Sequence, residues 1–174
     1  MSLLTVVVAT GLIVYLIAQQ VVGTALRGKR VVLLPAILTG IGILQIAGDK
    51  THASATDLAL IVVGAGIAIA IGLALGAMTH LERRDGSLWA KLPAKGLWLW
   101  GALILSRLAI IAVAHASGAH LAAGTSAILL TLGLNRVAQA AVVVPRAIAA
   151  GIPFAPEKDG RVFGASWFSH AAAN

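Results

Sequence analysis

Cysteine is absent from this 174-residue chain, which excludes disulfides, thiolate metal sites and thiol redox chemistry. Charge is nearly as scarce: 11% of the residues are Asp, Glu, Lys or Arg, against 59% hydrophobic. A soluble domain typically carries about 25% charged residues, and half that leaves too little polar surface to cover a water-soluble globule. The chain therefore reads as a single integral membrane domain, with no room for an appended soluble module of ordinary size. Acidic residues are rarest, 6 against 13 Lys and Arg. All six (Asp49, Asp57, Glu82, Asp85, Glu157, Asp159) fall in loops or at the ends of apolar runs. With no paired carboxylate in a run, no Ser-His-Asp constellation and no phosphate-cradling glycine loop, catalysis finds little support. Secondary transport is equally weak without a mid-run carboxylate or a two-half repeat.

What is present is long apolar runs. A helical span needs about 20 mostly apolar residues. Five segments qualify, at about 3–23, 31–48, 58–78, 97–115 and 121–144, the last ended by Pro145. The expected fold is an all-α polytopic transmembrane bundle over residues 1–148, with 149–174 as a cytoplasmic or interfacial tail. The first run lacks a basic leader and exceeds a usual signal-peptide core, so it reads as a span.

The net charge of +7 reads as loop bias, because no contiguous basic face for nucleic acid remains once the spans are removed. Arg27, Lys29 and Arg30 follow the first run, and Arg83, Arg84, Lys91 and Lys95 lie between the third and fourth. Arg146, Lys158 and Arg161 follow the fifth, whereas "DKTHASATD" has one Lys and "ASGAH" has no Lys or Arg. By the positive-inside rule this alternation places the N-terminus outside and the C-terminus inside. The expected location is the bacterial inner membrane, crossed several times. In "LERRDGSLWAKLPAKG" (81–96), Asp85-Gly86 is a favoured two-residue turn between "LERR" and "SLWA". A short inner hairpin is expected there, either anchoring and orienting the chain or docking a partner. Trp89, Trp98 and Trp100 should lie near the headgroups. The aromatics Phe154, Phe163, Trp167 and Phe168 of the tail either rest on the inner interface or belong to a disordered end.

Gly64, Ala68, Gly72 and Gly76 recur at four-residue spacing in the third run. Such a stripe lets helices approach closely, within one protomer or between two copies of a homodimer.

Two arginines sit inside runs, Arg107 in the fourth and Arg136 in the fifth. A charge at that depth costs about 2.5–3.5 kcal/mol or more, and a guanidinium brings five N–H donors that need acceptors. Gln19, Gln20, Gln45, Asn135 and Gln139 are the polar candidates, with carbonyls freed by Pro35. Two readings stay open. Either these groups form a buried network that keeps the helices in register, or Arg107 and Arg136, with Asn135 and Gln45, hold something anionic: a lipid phosphate, a haem propionate or a small carboxylate. His52, His115 and His120 fall on the expected outer side, but no pair has the helical spacing of a metal motif. His80 and His170 fall on the inner side. No metal site is expected, and no cofactor is specified.

The run "GLALGAMTHLERRDGSLWAK", followed by a Trp-rich span with Arg107, resembles the CcdC-like family of small bacterial membrane proteins, named for association with cytochrome c biogenesis. "RGKRVVLLPAILTGIGIL" is similar to that family's basic loop and proline-containing second span, and "NRVAQAA" to its last span. The resemblance covers about residues 25–148 and implies a polytopic membrane protein of a family mostly without assigned function; the family offers no catalytic residues. The functional expectation is a non-enzymatic accessory protein that binds another membrane protein in cytochrome or redox-complex biogenesis. The alternative is a membrane binder of an anionic lipid or haem-like amphiphile through Arg107 and Arg136, and a third is a small transporter or membrane enzyme.

Overall fold

The computed structural model describes residues 24–25, 28–49, 53–84, 87–151 and 154–156. The expected first span, Gln19, Gln20, His52, His170 and the aromatics beyond 156 lie outside them. A short strand β1 (Thr24–Ala25) leads into α1 (Gly28–Gly48), and α2 follows (Ala55–Met78). Strands β2 (His80–Arg84) and β3 (Ser87–Lys91) then form a hairpin, and a 3-10 turn at Ala94–Gly96 opens α3 (Leu97–Ser117). A one-turn helix α4 (His120–Ala123) precedes α5 (Thr125–Ala149). Helix dominates, and among the described residues four helices are long and apolar enough to cross a membrane. Their outward residues include Leu34, Ile37, Leu44, Val62 and Leu105, all more than half exposed. These helices fit a multi-pass membrane protein, since apolar side chains turned outward are what hydrocarbon solvates.

Helix α5 is the centre of the bundle. It packs along both α1 and α2, while α2 also packs against α3; α3 and α5 scarcely pack on each other. Small residues set the close approaches. A Cβ at Gly72 would collide with the Asn135 carbonyl oxygen, and one at Gly76 would lie 2.9 Å from that of Gln139. On the α1 side, Gly42 lies against the Leu130 backbone and Gly133 receives Thr39. Gly64 faces Ile110 of α3, and the Ala68 carbonyl accepts from Asn135. The whole stripe Gly64, Ala68, Gly72, Gly76 is thus buried within the protomer, exchanging Cβ volume for van der Waals contact that lipid cannot match.

The bundle has two distinct ends. At one, β1, β3 and β2 form an antiparallel sheet in that order, with Thr24 opposite Ala90, Glu82 opposite Trp89 and Arg84 opposite Ser87. Alternation along a strand sends successive side chains to opposite faces. Leu81 and Leu88 turn toward the helices and pack with Val144, Ala147 and Phe154. His80, Glu82, Arg84, Ser87, Trp89 and Lys91 share the other face. At the opposite end, Ala114, Ala119 and Ala122 pack with Leu60 and Ile61. Gly118, at φ 71, ends α3 in a left-handed cap while the Ala119 N–H closes on the Ala114 carbonyl, a conformation that glycine adopts without a Cβ penalty.

Several expected boundaries are corrected. The last run does not start a span at Leu121: Leu121–Ala123 belong to α4, and α5 begins after Gly124, which is extended. Nor does Pro145 end it. Proline deprives the Ala141 carbonyl of its partner, but buried Val143 and Ala147 hold the next turn in place, and α5 runs to Ala149. Helices α2 and α3 extend to Ala55 and Ser117, past the expected 58 and 115. The fold is not wholly helical, and the tail's first aromatic, Phe154, is 1% exposed in a protein core rather than at an interface.

Candidate functional site: two separated arginines

Arg107 lies on the face of α3 that also carries the buried Leu103, Ile110 and Ala114. Its Nη2 donates to the Ala122 carbonyl at 3.0 Å and to the Gly124 carbonyl at 3.4 Å. The Ala122 carbonyl is accessible because α4 ends there, leaving its helix-terminal oxygen without an intrahelical donor; the Gly124 carbonyl also accepts the Ile128 N–H at 3.3 Å. Asp57, 5% exposed in the first turn of α2, meets the same segment: its Oδ1 accepts the Ala122 N–H at 3.0 Å. Its Oδ2 accepts from the Ser54 hydroxyl at 2.7 Å and backbone N–H at 3.2 Å, while Ser54 Oγ accepts from the Asp57 N–H. This reciprocal capping box fixes the carboxylate that holds α4. Sequence placed no acid at Arg107's depth; the turn at 118–124 carries an acceptor back to it, and Asp57 completes the arrangement.

Arg136 belongs to another locus. Its Nη1 donates to Gln139 Oε1 at 3.0 Å, and its guanidinium carbon lies 4.9 Å from the centroid of the Trp100 ring. Between Gly124 and Arg136 α5 advances twelve residues, about 18 Å. The two arginines therefore serve different levels of the bundle. Asn135, fully buried, donates to the Ala68 carbonyl of α2 at 2.9 Å. Gln45 lines a cleft of about 460 Å³ at the end opposite the sheet, with Asp49, His120, Gly124, Thr125 and Ser126. The four residues expected to share an anion, Arg107, Arg136, Asn135 and Gln45, are thus not brought together.

Three participants escaped the sequence reading. Asp57 looked like a loop acid; "SATD" carries the Ser-x-x-acid spacing that signals a cap. Trp100 looked like an interfacial anchor, yet it stacks with Arg136. Arg146 was counted only as tail charge. Its Nη1 donates to the carbonyls of Gly76, Ala77 and Thr79 at 2.7–3.2 Å, capping the end of α2 from α5. Comparison with family models, curated proteins and solved structures finds no match.

Proposed function

We propose that this protein is a non-enzymatic, multi-pass accessory protein of the bacterial inner membrane that binds another membrane protein through the sheet at one end of its bundle. The observation that carries this reading is the sheet's outward face. It presents Glu82, Arg84, Trp89 and Lys91 together, with Arg84 stacked on Trp89 at 5.0 Å. β2 is an edge strand exposed over most of its length, and the backbone N–H and C=O groups along an open edge offer a template for pairing with another chain. Arg107, by contrast, is engaged with backbone carbonyls of its own chain. The resemblance to the CcdC-like family supports an accessory role in cytochrome or redox-complex biogenesis.

In this reading the sheet end faces the cytoplasm and the chain starts outside. Support comes from the basic residues at that end: Lys29 and Arg30 in the first turn of α1, the hairpin arginines, and Lys91 and Lys95. The test is site-specific photo-crosslinking in cells from position 80, exposed on the outward face of the sheet, with a lipid-facing position, 105, as control. A crosslink to one integral membrane protein from 80 alone, lost on Glu82→Lys/Arg84→Glu, is the expected result. Absence of any product from 80 in the correctly inserted protein rejects the role.

A further inference from the structure

We propose that Arg136, Trp100 and Gln139 form a binding site for the phosphate group of an anionic phospholipid, in the crevice between α3 and α5. The site is independent of the partner-binding role.

The argument starts from donors and acceptors. A guanidinium carries five N–H donors in a planar fork. Among the described residues Arg136 donates to one acceptor only, Gln139 Oε1, through Nη1. Its face is taken by the Trp100 indole, and a stacked guanidinium keeps its edge available, where two N–H groups can meet two phosphate oxygens. Leaving that edge bare in an apolar setting is costly. The stack also holds the fork in one orientation, which lowers the entropy lost on binding.

Depth identifies the ligand class. Trp100 is the fourth residue of α3, about one turn from that helix's sheet-end terminus. The Gln139 carbonyl oxygen faces Gly76, two residues before α2 ends at Met78. Both landmarks put the guanidinium within about one or two turns of the sheet end, the level at which indoles and lipid headgroups meet, although the Arg136 backbone is further in. The crevice gives access, because α2 packs against both walls while α3 and α5 scarcely meet. Exposed apolar residues on the walls, Ile104 on α3 and Leu132 on α5, suit acyl chains. A phospholipid brings the phosphate and those chains at once. A zwitterionic lipid carries a cation beside its phosphate, which opposes Arg136; an anionic lipid does not.

The test is native mass spectrometry of the full chain with equal amounts of phosphatidylglycerol and phosphatidylcholine of identical acyl chains. Thermal melts with and without inorganic phosphate are run in parallel. The wild type is expected to retain one phosphatidylglycerol under activation that removes phosphatidylcholine. Arg136→Gln should lower that adduct at least fivefold. Arg136→Lys, which keeps the charge without the fork, and Trp100→Leu, which removes the stack, should lower it less; they decide the matter if Arg136→Gln does not fold. Arg84→Gln, in the other Arg–Trp pair, should leave retention unchanged. Equal retention of the two lipids by the wild type overturns the proposal, as does undiminished phosphatidylglycerol in folded Arg136 and Trp100 variants. An Arg136-dependent rise in melting temperature with inorganic phosphate, without preferential phosphatidylglycerol retention, assigns the site to a free anion and rejects the lipid.

Discussion

Asp57 and Arg107 hold one residue from opposite sides. The Ala122 N–H donates to the Asp57 carboxylate and the Ala122 carbonyl accepts from the Arg107 guanidinium, each at 3.0 Å. Two helices of the bundle, α2 and α3, thereby fix the turn that delivers the chain into α5. Opposite charges are placed where each meets the matching pole of a peptide group, so both are hydrogen-bonded without a direct ion pair. Charge-assisted bonds of this kind contribute more than neutral ones.

The first prediction follows from that shared residue. Asp57→Ala removes the acceptor of Ala122 and half of a capping box, and should lower unfolding free energy in mixed micelles by about 2–3 kcal/mol. Arg107→Ala leaves the Ala122 carbonyl without its donor and should cost a similar amount. Because both act on α4, the double variant should lose less than the sum, by at least about 0.5 kcal/mol. Strict additivity in the double-mutant cycle would show that the two side chains stabilise unconnected parts of the bundle.

Glycine positions on α2 should separate sharply. At Gly72 a methyl group would strike the Asn135 carbonyl oxygen, a backbone atom that cannot swing aside; at Gly66 nothing lies within 4 Å. Gly72→Ala should therefore destabilise by about 1–3 kcal/mol through overpacking. Gly66→Ala should be neutral or stabilising by up to about 1 kcal/mol from helix propensity. Melting temperatures of the two variants in one detergent check the contrast.

How much of this was legible in the sequence depends on the range of the interaction. Helices α1, α2 and α3 were visible because long apolar runs need no partner to be recognised, even with Pro35 in one and Arg107 in another. The β2–β3 hairpin was visible because Asp85-Gly86 is a local turn signal between two strand-like pieces. β1 was not, since Thr24–Ala25 is too short to carry a pattern and pairs with Trp89 and Ala90, far along the chain. Gly124 was hidden for a different reason: "LAAGTSAILL" is continuous in hydropathy, and only backbone conformation divides α4 from α5. Pro145 misled because the rule that proline ends helices omits the packing of Val143 and Ala147. The candidate arginines were legible individually. So was Gln139, three residues beyond Arg136 on the same helix and its hydrogen-bond partner; Ala122 and Trp100 were not, because they reach the arginines only through the tertiary turn and the crevice.

Arg146 supplies a prediction about local order. Its guanidinium caps the last carbonyls of α2, and the Thr79 hydroxyl adds a bond to the Leu75 carbonyl at 2.7 Å. Since Arg146 is exposed, its net contribution to global stability should be about 1 kcal/mol or less. The local effect should be larger. In Arg146→Ala the end of α2 should fray, with faster amide exchange at Thr79 and in the first residues of β2 while α1 and the middle of α5 keep their protection. A uniform change across all helices would indicate that Arg146 acts on the whole bundle.

Orientation is tested most directly by thiol labelling, which the absence of cysteine makes clean. Ser87, in β3, stands at the sheet end; Ala116, in the last turn of α3, is exposed at the other. Twenty-one residues of α3, about 31 Å at 1.5 Å per residue, match the hydrocarbon thickness of a bilayer, so the two positions should emerge on opposite sides. The concentration of Arg and Lys at the sheet end predicts which side is which. In intact cells a membrane-impermeant maleimide should label Ala116→Cys and spare Ser87→Cys until the membrane is opened. The reverse pattern would put the sheet outside, where a cytoplasmic partner could not reach it. Labelling of both from outside would mean that α3 does not cross the membrane at all.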